Sequence, residues 1–370
     1  MERTQTLEYR EVLLLVDWLI CQLSEDTVIQ RALSEPDPAA RAQFFDELGL
    51  KQADLRPGVG LRDGLPDLLW RRVPGGSFWM GGDPLALGAW PGRSIAVTSD
   101  YWTAAYPVTV AQYQGFINDG GYSEGWRKCW TTTGLAWKRR YGLEAPFDWE
   151  SPLAAERISN HPVEVDWYEA YAYAQYLEAL RRDGRLVLPR AIPDEHVIRL
   201  PDEAEREWAA RYPDGRLFPW GNEYRAGYAN IDETSYYERV GTYYVGRVTA
   251  VGLYRLGWQS SLGLYDLSGN VSEWCLTNWG EEGYTAENDP EGVGDRVVRG
   301  GHYHNGANFA RAASRTWGDP DPDDQYDPNH GFRLVIAPPL ASRSGQAYAD
   351  ALRWRQEHGW VDGGLPPRSS

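Results

Sequence analysis

Between Arg299 and Arg333 the chain runs RGGHYHNGANFARAASRTWGDPDPDDQYDPNHGFR, and almost none of its interior is aliphatic. Only the island Ala310-Arg311-Ala312-Ala313 suits packing, so this stretch cannot bury itself and the rest of the chain must scaffold it. Its ends have a different texture. Arg299-Gly300-Gly301 reads as a sharp turn after Val297 and Val298, and Gly331-Phe332-Arg333-Leu334-Val335 reads as a final strand returning to a core. The middle carries rings and small polar groups, the chemistry of a recognition surface, because Tyr and Trp offer contact area at low entropy cost and Asn or Ser adapt their hydrogen bonds. Its length also fits one side of a standard interface, roughly 20–30 residues and ~800 Å² per partner.

The scaffold is built from rings. Among 370 residues there are 18 Trp and 23 Tyr against 2 Met, within an otherwise ordinary balance of 42% hydrophobic and 24% charged residues. Lys and Arg number 37 and Asp and Glu 53, a formal charge of −16, which excludes phosphate backbones and anionic lipid as natural partners. Cys21, Cys129 and Cys275 are odd in number and widely spaced, which argues against a disulfide framework and a structural zinc site. No secretory signal opens the chain and the apolar run Val12–Leu23 is short and holds Asp17, so a cytoplasmic protein without membrane insertion is expected, whether cell- or phage-encoded.

Residues 9–32 place Val12, Leu15, Val16, Leu19 and Leu23 on one helical face, and Ala39–Leu48 reads as a second short helix. Residues 1–66 are thus a helical leader whose apolar face packs on its own domain or on a partner. From residue 67 short strands and turns take over. Val73–Gly82 reads as strand, turn and strand, and Ile95–Trp102 as one strand. Capping boxes at Thr109–Gln112 and Asp166–Glu169 open helices expected over about 110–118 and to about Arg182, and a third helix starts at Pro201-Asp202-Glu203. Residues 122–160, rich in Trp and Tyr, yield no assignment. A helix over Gln346–Gln356 falls in the last unit, residues 339–370. Few helices and many turns make the fold class α+β.

Eight motifs in order then narrow the family: Pro74–Gly81, Tyr106–Tyr113, His161-Pro162-Val163 with Asp166-Trp167, Arg199–Glu205, Phe218–Asn222, Gly269–Trp274, Arg299-Gly300-Gly301 and Gly331-Phe332-Arg333. Together they resemble the formylglycine-generating-enzyme-like (sulfatase-modifying factor) branch of the C-type lectin fold. The resemblance implies a domain over residues 67–338 with a twisted antiparallel sheet, two main helices and long loops. Formylglycine-generating enzymes oxidise a substrate cysteine with copper held by two cysteines after the Gly-Gly turn. Gly301–Gly331 holds no Cys, and His302 and His304 do not replace soft thiolates, so that activity is expected to be absent. The related sulfoxide synthases take iron ligands from a His-bearing helical domain, whereas no His precedes His161 here.

The segment is also similar to the variable region of a diversity-generating retroelement target protein, framed as RGG, RxAxR, PD and GFR. Arg299-Gly300-Gly301, Arg311 with Ala313 and Arg315, Pro320-Asp321 and Gly331-Phe332-Arg333 fit that frame. Most residues between are reachable by changing adenines of an AAC codon; Trp317 and Gln325 are not. The resemblance implies a variable region over 299–335 and a non-catalytic display protein meeting an unidentified protein or other ligand through His302, Tyr303, His304, Asn305, Asn308, Phe309, Ser314, Thr316, Trp317, Asp319, Asp324, Tyr326 and Asn329. The competing expectation is a metal-dependent oxidoreductase of the same fold, in which His302 and His304, on one side of an extended segment, chelate a metal with Asp319 or Asp324. No cofactor is required. Asn270, Glu273 and Asn230 match positions near structural calcium in formylglycine-type relatives, which makes calcium the metal this resemblance admits; all three equally suit turns and caps. No nucleophile elbow or phosphate-cradling glycine loop occurs.

Overall fold

Helix starts are where local sequence speaks most clearly. Thr109 and Gln112 exchange side-chain and backbone hydrogen bonds ahead of the helix Val110–Asn118, and Asp166 with Glu169, and Asp202 with Glu205, do the same for Trp167–Arg182 and Glu203–Arg211. The computed structural model describes residues 35–51, 54–147, 149, 158–236, 238–292, 294–320 and 329–340. The expected helices over 9–32 and 346–356 lie outside the described residues.

In chain order the elements are α1 (Pro38–Lys51), β1 (Leu61–Arg62), β2 (Leu65–Pro66), β3 (Trp70–Val73), β4 (Gly76–Met80), β5 (Arg93–Val97), β6 (Tyr101–Ala104), α2 (Val110–Asn118), α3 (Thr132–Tyr141), α4 (Trp167–Arg182), β7 (Val197–Arg199), α5 (Glu203–Arg211), β8 (Ser272–Asn278), β9 (Arg296–Arg299), β10 (Arg315–Gly318), β11 (His330–Gly331) and β12 (Val335–Ala337). One four-stranded sheet has the order β3-β6-β12-β7 and is antiparallel throughout. A second has the order β10-β9-β8-β11, antiparallel except where β11 runs parallel to β8. With the two-stranded pairs β1-β2 and β4-β5, the mainly antiparallel sheet content expected is divided among four small sheets.

Three strand expectations are corrected with them. The strand, turn and strand over Val73–Gly82 is no hairpin, because β3 joins β6 while β4 pairs with β5 in a sheet of its own. Ile95–Trp102 breaks into β5 and β6 where Asp100 accepts from the Gly75 N–H at 2.9 Å and from Arg72 Nε at 2.8 Å. The final strand is likewise split. Phe332 and Leu334 give their carbonyls to Val108 and Ala104, each at 2.9 Å, so the chain crosses from β11 in one sheet to β12 in the other.

The core is aromatic. Tyr113, Phe116, Tyr173 and Phe332 pack at ring-centroid distances of 5.3–6.4 Å, mostly edge to face, which suits their quadrupoles. The stretch that sequence left unassigned supplies α3 and a 3₁₀ turn over Glu124–Cys129, and buries Trp130, Trp137 and Trp149 in this core. α1 docks Ala42, Phe45 and Leu48 on Ala250, Leu253 and Tyr254. Among the described residues no helix is long and apolar enough to cross a membrane.

Candidate functional site

The segment after β9 is held by its arginines. Arg299 ion-pairs with Glu207 and donates from Nη1 to the Ser314 and Ala313 carbonyls at 2.6 and 3.1 Å. Arg315 meets both oxygens of Glu203, at 2.8 and 3.1 Å, and its guanidinium lies 4.1 Å from the centre of the Trp279 ring. Arg311 pairs with Asp83 at 2.5 Å. Arg333 meets both oxygens of Glu273, at 2.7 and 2.8 Å, and Arg206 shares that carboxylate at 2.7 Å. Glu203 and Glu207 are one helical turn apart on α5, so a single helix grips the segment at its start and its middle, while Glu273 on β8 holds its end.

These pairs are dry, with Arg315, Arg333, Glu203, Glu207 and Glu273 at most 1% exposed. Burial alone would raise the Glu273 carboxyl; the guanidiniums of Arg206 and Arg333 outweigh it and hold the group below the usual carboxylate range. Removing one partner of such a pair costs roughly 3–5 kcal/mol, because an uncompensated charge stays behind.

The glycines set the turn. Gly300 and Gly301 have φ of +94° and +68°, and a Cβ on Gly301 would stand 3.0 Å from Phe309. The chain then coils into short turns: the Asn305 N–H donates to the His302 carbonyl, Phe309 to Gly306, and Ala310 to Ala307, at 2.9–3.1 Å. Ala307 and Ala310 are the buried side of this coil, packed with Phe218 and Ile231. Backbone bonds from Leu87 to Asn308 and from Arg315 to Leu87 tie it to the loop before β5.

Thirteen contact positions were expected from the sequence, and the structure divides them. His304, Trp317 and Asp319 are exposed, Trp317 by 55%, and His302, Tyr303, Asn305, Asn308, Phe309, Thr316 and Asn329 are half-buried. Ser314 is corrected: it is 2% exposed beneath the Arg299 guanidinium, which holds its carbonyl. Asn305 has a structural duty as well, its Oδ1 accepting from the His302 N–H at 2.9 Å. Asp324 and Tyr326 lie outside the described residues.

The chelating pair is corrected too. His302 and His304 sit on a turn instead of an extended strand, with rings at 87°. His302 Nδ1 accepts from the His304 N–H at 3.3 Å, and His304 Nδ1 is bonded to the Tyr244 hydroxyl. Among the described residues no group of three His, Cys, Asp or Glu could hold a metal ion. Glu273 is corrected as a calcium ligand, because both its oxygens face guanidinium groups. Asn270 and Asn230 are engaged with each other at 3.1 Å, Asn270 Oδ1 also accepts from the Thr249 N–H at 2.9 Å, and Asn270 takes a φ of +70°. That cluster works as a turn lock, with Asn230 Oδ1 buried and without a hydrogen-bond partner among the described residues and no carboxylate oxygen of Glu273 turned toward it.

A copper site fits no better. Cys129 and Cys275 are both buried; desolvation pushes the first thiol up to about 11, and the second well above its ordinary value. Cys21 lies outside the described residues.

Sequence reasoning missed the partners of the frame. Glu203 was read only as part of a helix start and Glu207 was not singled out, although their i, i+4 spacing ahead of several later arginines was a usable signal. It also missed the loop 232–247. There the Asp232 N–H donates to the Asn305 carbonyl at 2.9 Å, and Glu238 accepts from the Asn308 N–H at 2.8 Å.

A model of the family described as "Sulfatase-modifying factor enzyme 1-like domain" matches residues 66–338. The formylglycine-generating enzyme of Thermomonospora curvata is 29% identical over 312 residues, 72% of this chain and 92% of that protein. The one from Streptomyces coelicolor is 35% identical over 199 residues, 50% of this chain and 55% of that protein. The hercynine oxygenase of Mycolicibacterium smegmatis is 30% identical over 223 residues, 51% of this chain; the match spans 47% of that protein's length. Among solved structures, Treponema denticola variable protein 1 aligns with a TM-score of 0.46 at 20% identity, covering 73% of this chain and 95% of that one.

Proposed function

Because this chain belongs to the sulfatase-modifying factor enzyme 1-like family, with its α+β fold, we propose that it uses that fold as a non-catalytic binding protein whose segment 299–335 is diversified by a retroelement. One observation carries the reading. Within a single segment the frame residues Arg299, Arg311, Arg315 and Arg333 are buried and ion-paired, while His304 and Trp317 between them are exposed and His302, Tyr303, Asn308 and Thr316 are half-buried. Side chains on the outside can be exchanged without touching the clamps beneath, which is what a diversified contact face needs.

The chemistry of the donors supports the same side. The relatives named above are enzymes, and a copper oxidase of that kind needs thiolates; Gly301–Gly331 has none, and the described cysteines are buried neutral thiols elsewhere. The histidines are engaged within their own turn and with Tyr244.

The test joins two measurements on the full chain. With His302, Tyr303, His304, Asn308 and Trp317 replaced together by a second set of polar and aromatic residues, the expected outcome is an unchanged fold by circular dichroism and an altered binding spectrum on a protein array. Metal analysis of the purified protein is expected to find no stoichiometric copper or iron; finding either, or loss of the fold on replacement, rejects the display reading. The coding DNA offers a cheaper check, since a downstream near-copy of this segment differing only at adenines, beside a reverse transcriptase gene, is expected.

A further inference from the structure

Beside the displayed turn stands a second surface that belongs to no diversified frame. The loop 232–247 is pinned from within by Glu233, which is fully buried and accepts from the Tyr224 hydroxyl and the Gly227 N–H at 2.6 Å and from the Tyr243 N–H at 3.2 Å. It is pinned to the display segment through Asp232 with Asn305 and Glu238 with Asn308, at 2.9 and 2.8 Å. Among the described residues of this loop two large rings face solvent, Tyr236 at 96% exposed and Tyr244 at 43%. The Tyr244 hydroxyl bonds His304 Nδ1, and the Tyr303 and His304 rings lie 4.3 Å apart, so the rings of loop and segment adjoin.

We propose that Tyr236 and Tyr244 form a constant aromatic ledge of the binding face, contacted by whichever protein the variable positions select, and that the ledge fits a protein surface carrying arginine or lysine. This rests on the display reading and deepens it. A diversified face gains from an invariant partner, because exposed tyrosines on a pinned loop contribute area to every complex at little ordering cost. The preference for basic side chains follows from the surroundings. Tyrosine rings attract guanidinium and ammonium groups, the half-buried carboxylates of Asp232 and Glu238 lie on the same loop, and the whole chain carries a formal charge of −16. Arg239, between the two tyrosines, and Arg247, ion-paired with Asp46, are the exposed bases of this loop.

The experiment uses the full chain displayed as a library at His302, Tyr303, His304, Asn308, Thr316 and Trp317. It is selected separately against lysozyme as a basic target and serum albumin as an acidic one. Y236A, Y244A and the double variant are then placed in each selected binder. Loss of affinity by tenfold or more in the double variant across independent binders, with melting temperature unchanged, together with more and tighter lysozyme binders, is the expected result. Binders indifferent to both tyrosines overturn the ledge while leaving the display reading intact, and equal recovery against albumin overturns the basic preference. A library that yields no binder to either target overturns the display reading and the ledge with it.

Discussion

Arg315 and Trp317 lie two residues apart on β10 and meet opposite fates. Strand alternation alone would treat them alike, yet Arg315 is 1% exposed and Trp317 is 55% exposed. What separates them is tertiary: Glu203 and the Trp279 ring close over Arg315, and nothing described covers Trp317 to that extent. The whole segment repeats this contrast. Its arginines reach down to carboxylates on α5, β8 and the loop before β5, and its rings and amides face up. Stability and specificity are thereby assigned to different side chains of one stretch, so change in one need not damage the other.

The contrast breaks most sharply at Arg333. Arg333→Met strips Glu273 of its bidentate partner and should cost roughly 3–5 kcal/mol, read as a large fall in urea midpoint or as insoluble protein; a loss under about 1 kcal/mol would mean that the clamps are ornamental.

A buried carboxylate without such a clamp should behave in the opposite way with pH. Asp266 accepts from the Gly252 N–H at 2.6 Å, and desolvation pushes it up to about 6 from 3.8. The unfolded chain loses this proton near 3.8 and the fold keeps it to about 6, so the stability it contributes is full below the lower value and is lost as pH rises through the upper. Asp266→Asn cannot ionise, and should match the parent at pH 4 yet exceed it at pH 7, by a gap on the order of 3 kcal/mol. A melting-temperature gap that does not change with pH would refute this. Glu273, more deeply buried but paired, is held low by its guanidiniums and should show stability lost as pH falls, not as it rises.

Gly301→Ala comes next. It places a side chain at φ +68° and 3.0 Å from Phe309, and should cost roughly 1–3 kcal/mol. Smallest of all should be the face itself. Single alanine replacements at His304, Tyr303 or Trp317 should each move stability by no more than about 0.5 kcal/mol; a larger loss at Trp317 by thermal melt would place it with the clamps and blur the distinction drawn here.

Much of this was legible before any coordinates. Capping boxes at Thr109 and Asp166 and the Pro201-Asp202-Glu203 start open three of the helices because a cap is a local bargain among four residues, sealed by hydrogen bonds within one turn; that Asp202 closes a box of its own was added by the structure. The glycine turn at Gly300-Gly301 was legible for the same reason. The stretch 122–160 was not, because its Trp-rich text has no period, and only contact with α4 and α2 makes a core of it.

By itself the sequence determined the family, the helix starts, the turn residues and which stretch is too polar to fold alone. Each of those rests on interactions between near neighbours or on a motif order that can be read without geometry. Only the tertiary structure decided that Ser314 lies under Arg299, that Glu273 serves two arginines and not calcium, and that Tyr244 stands against His304. Those outcomes depend on residues 15 to 67 positions apart along the chain being brought within a hydrogen bond, and no local pattern encodes such a meeting.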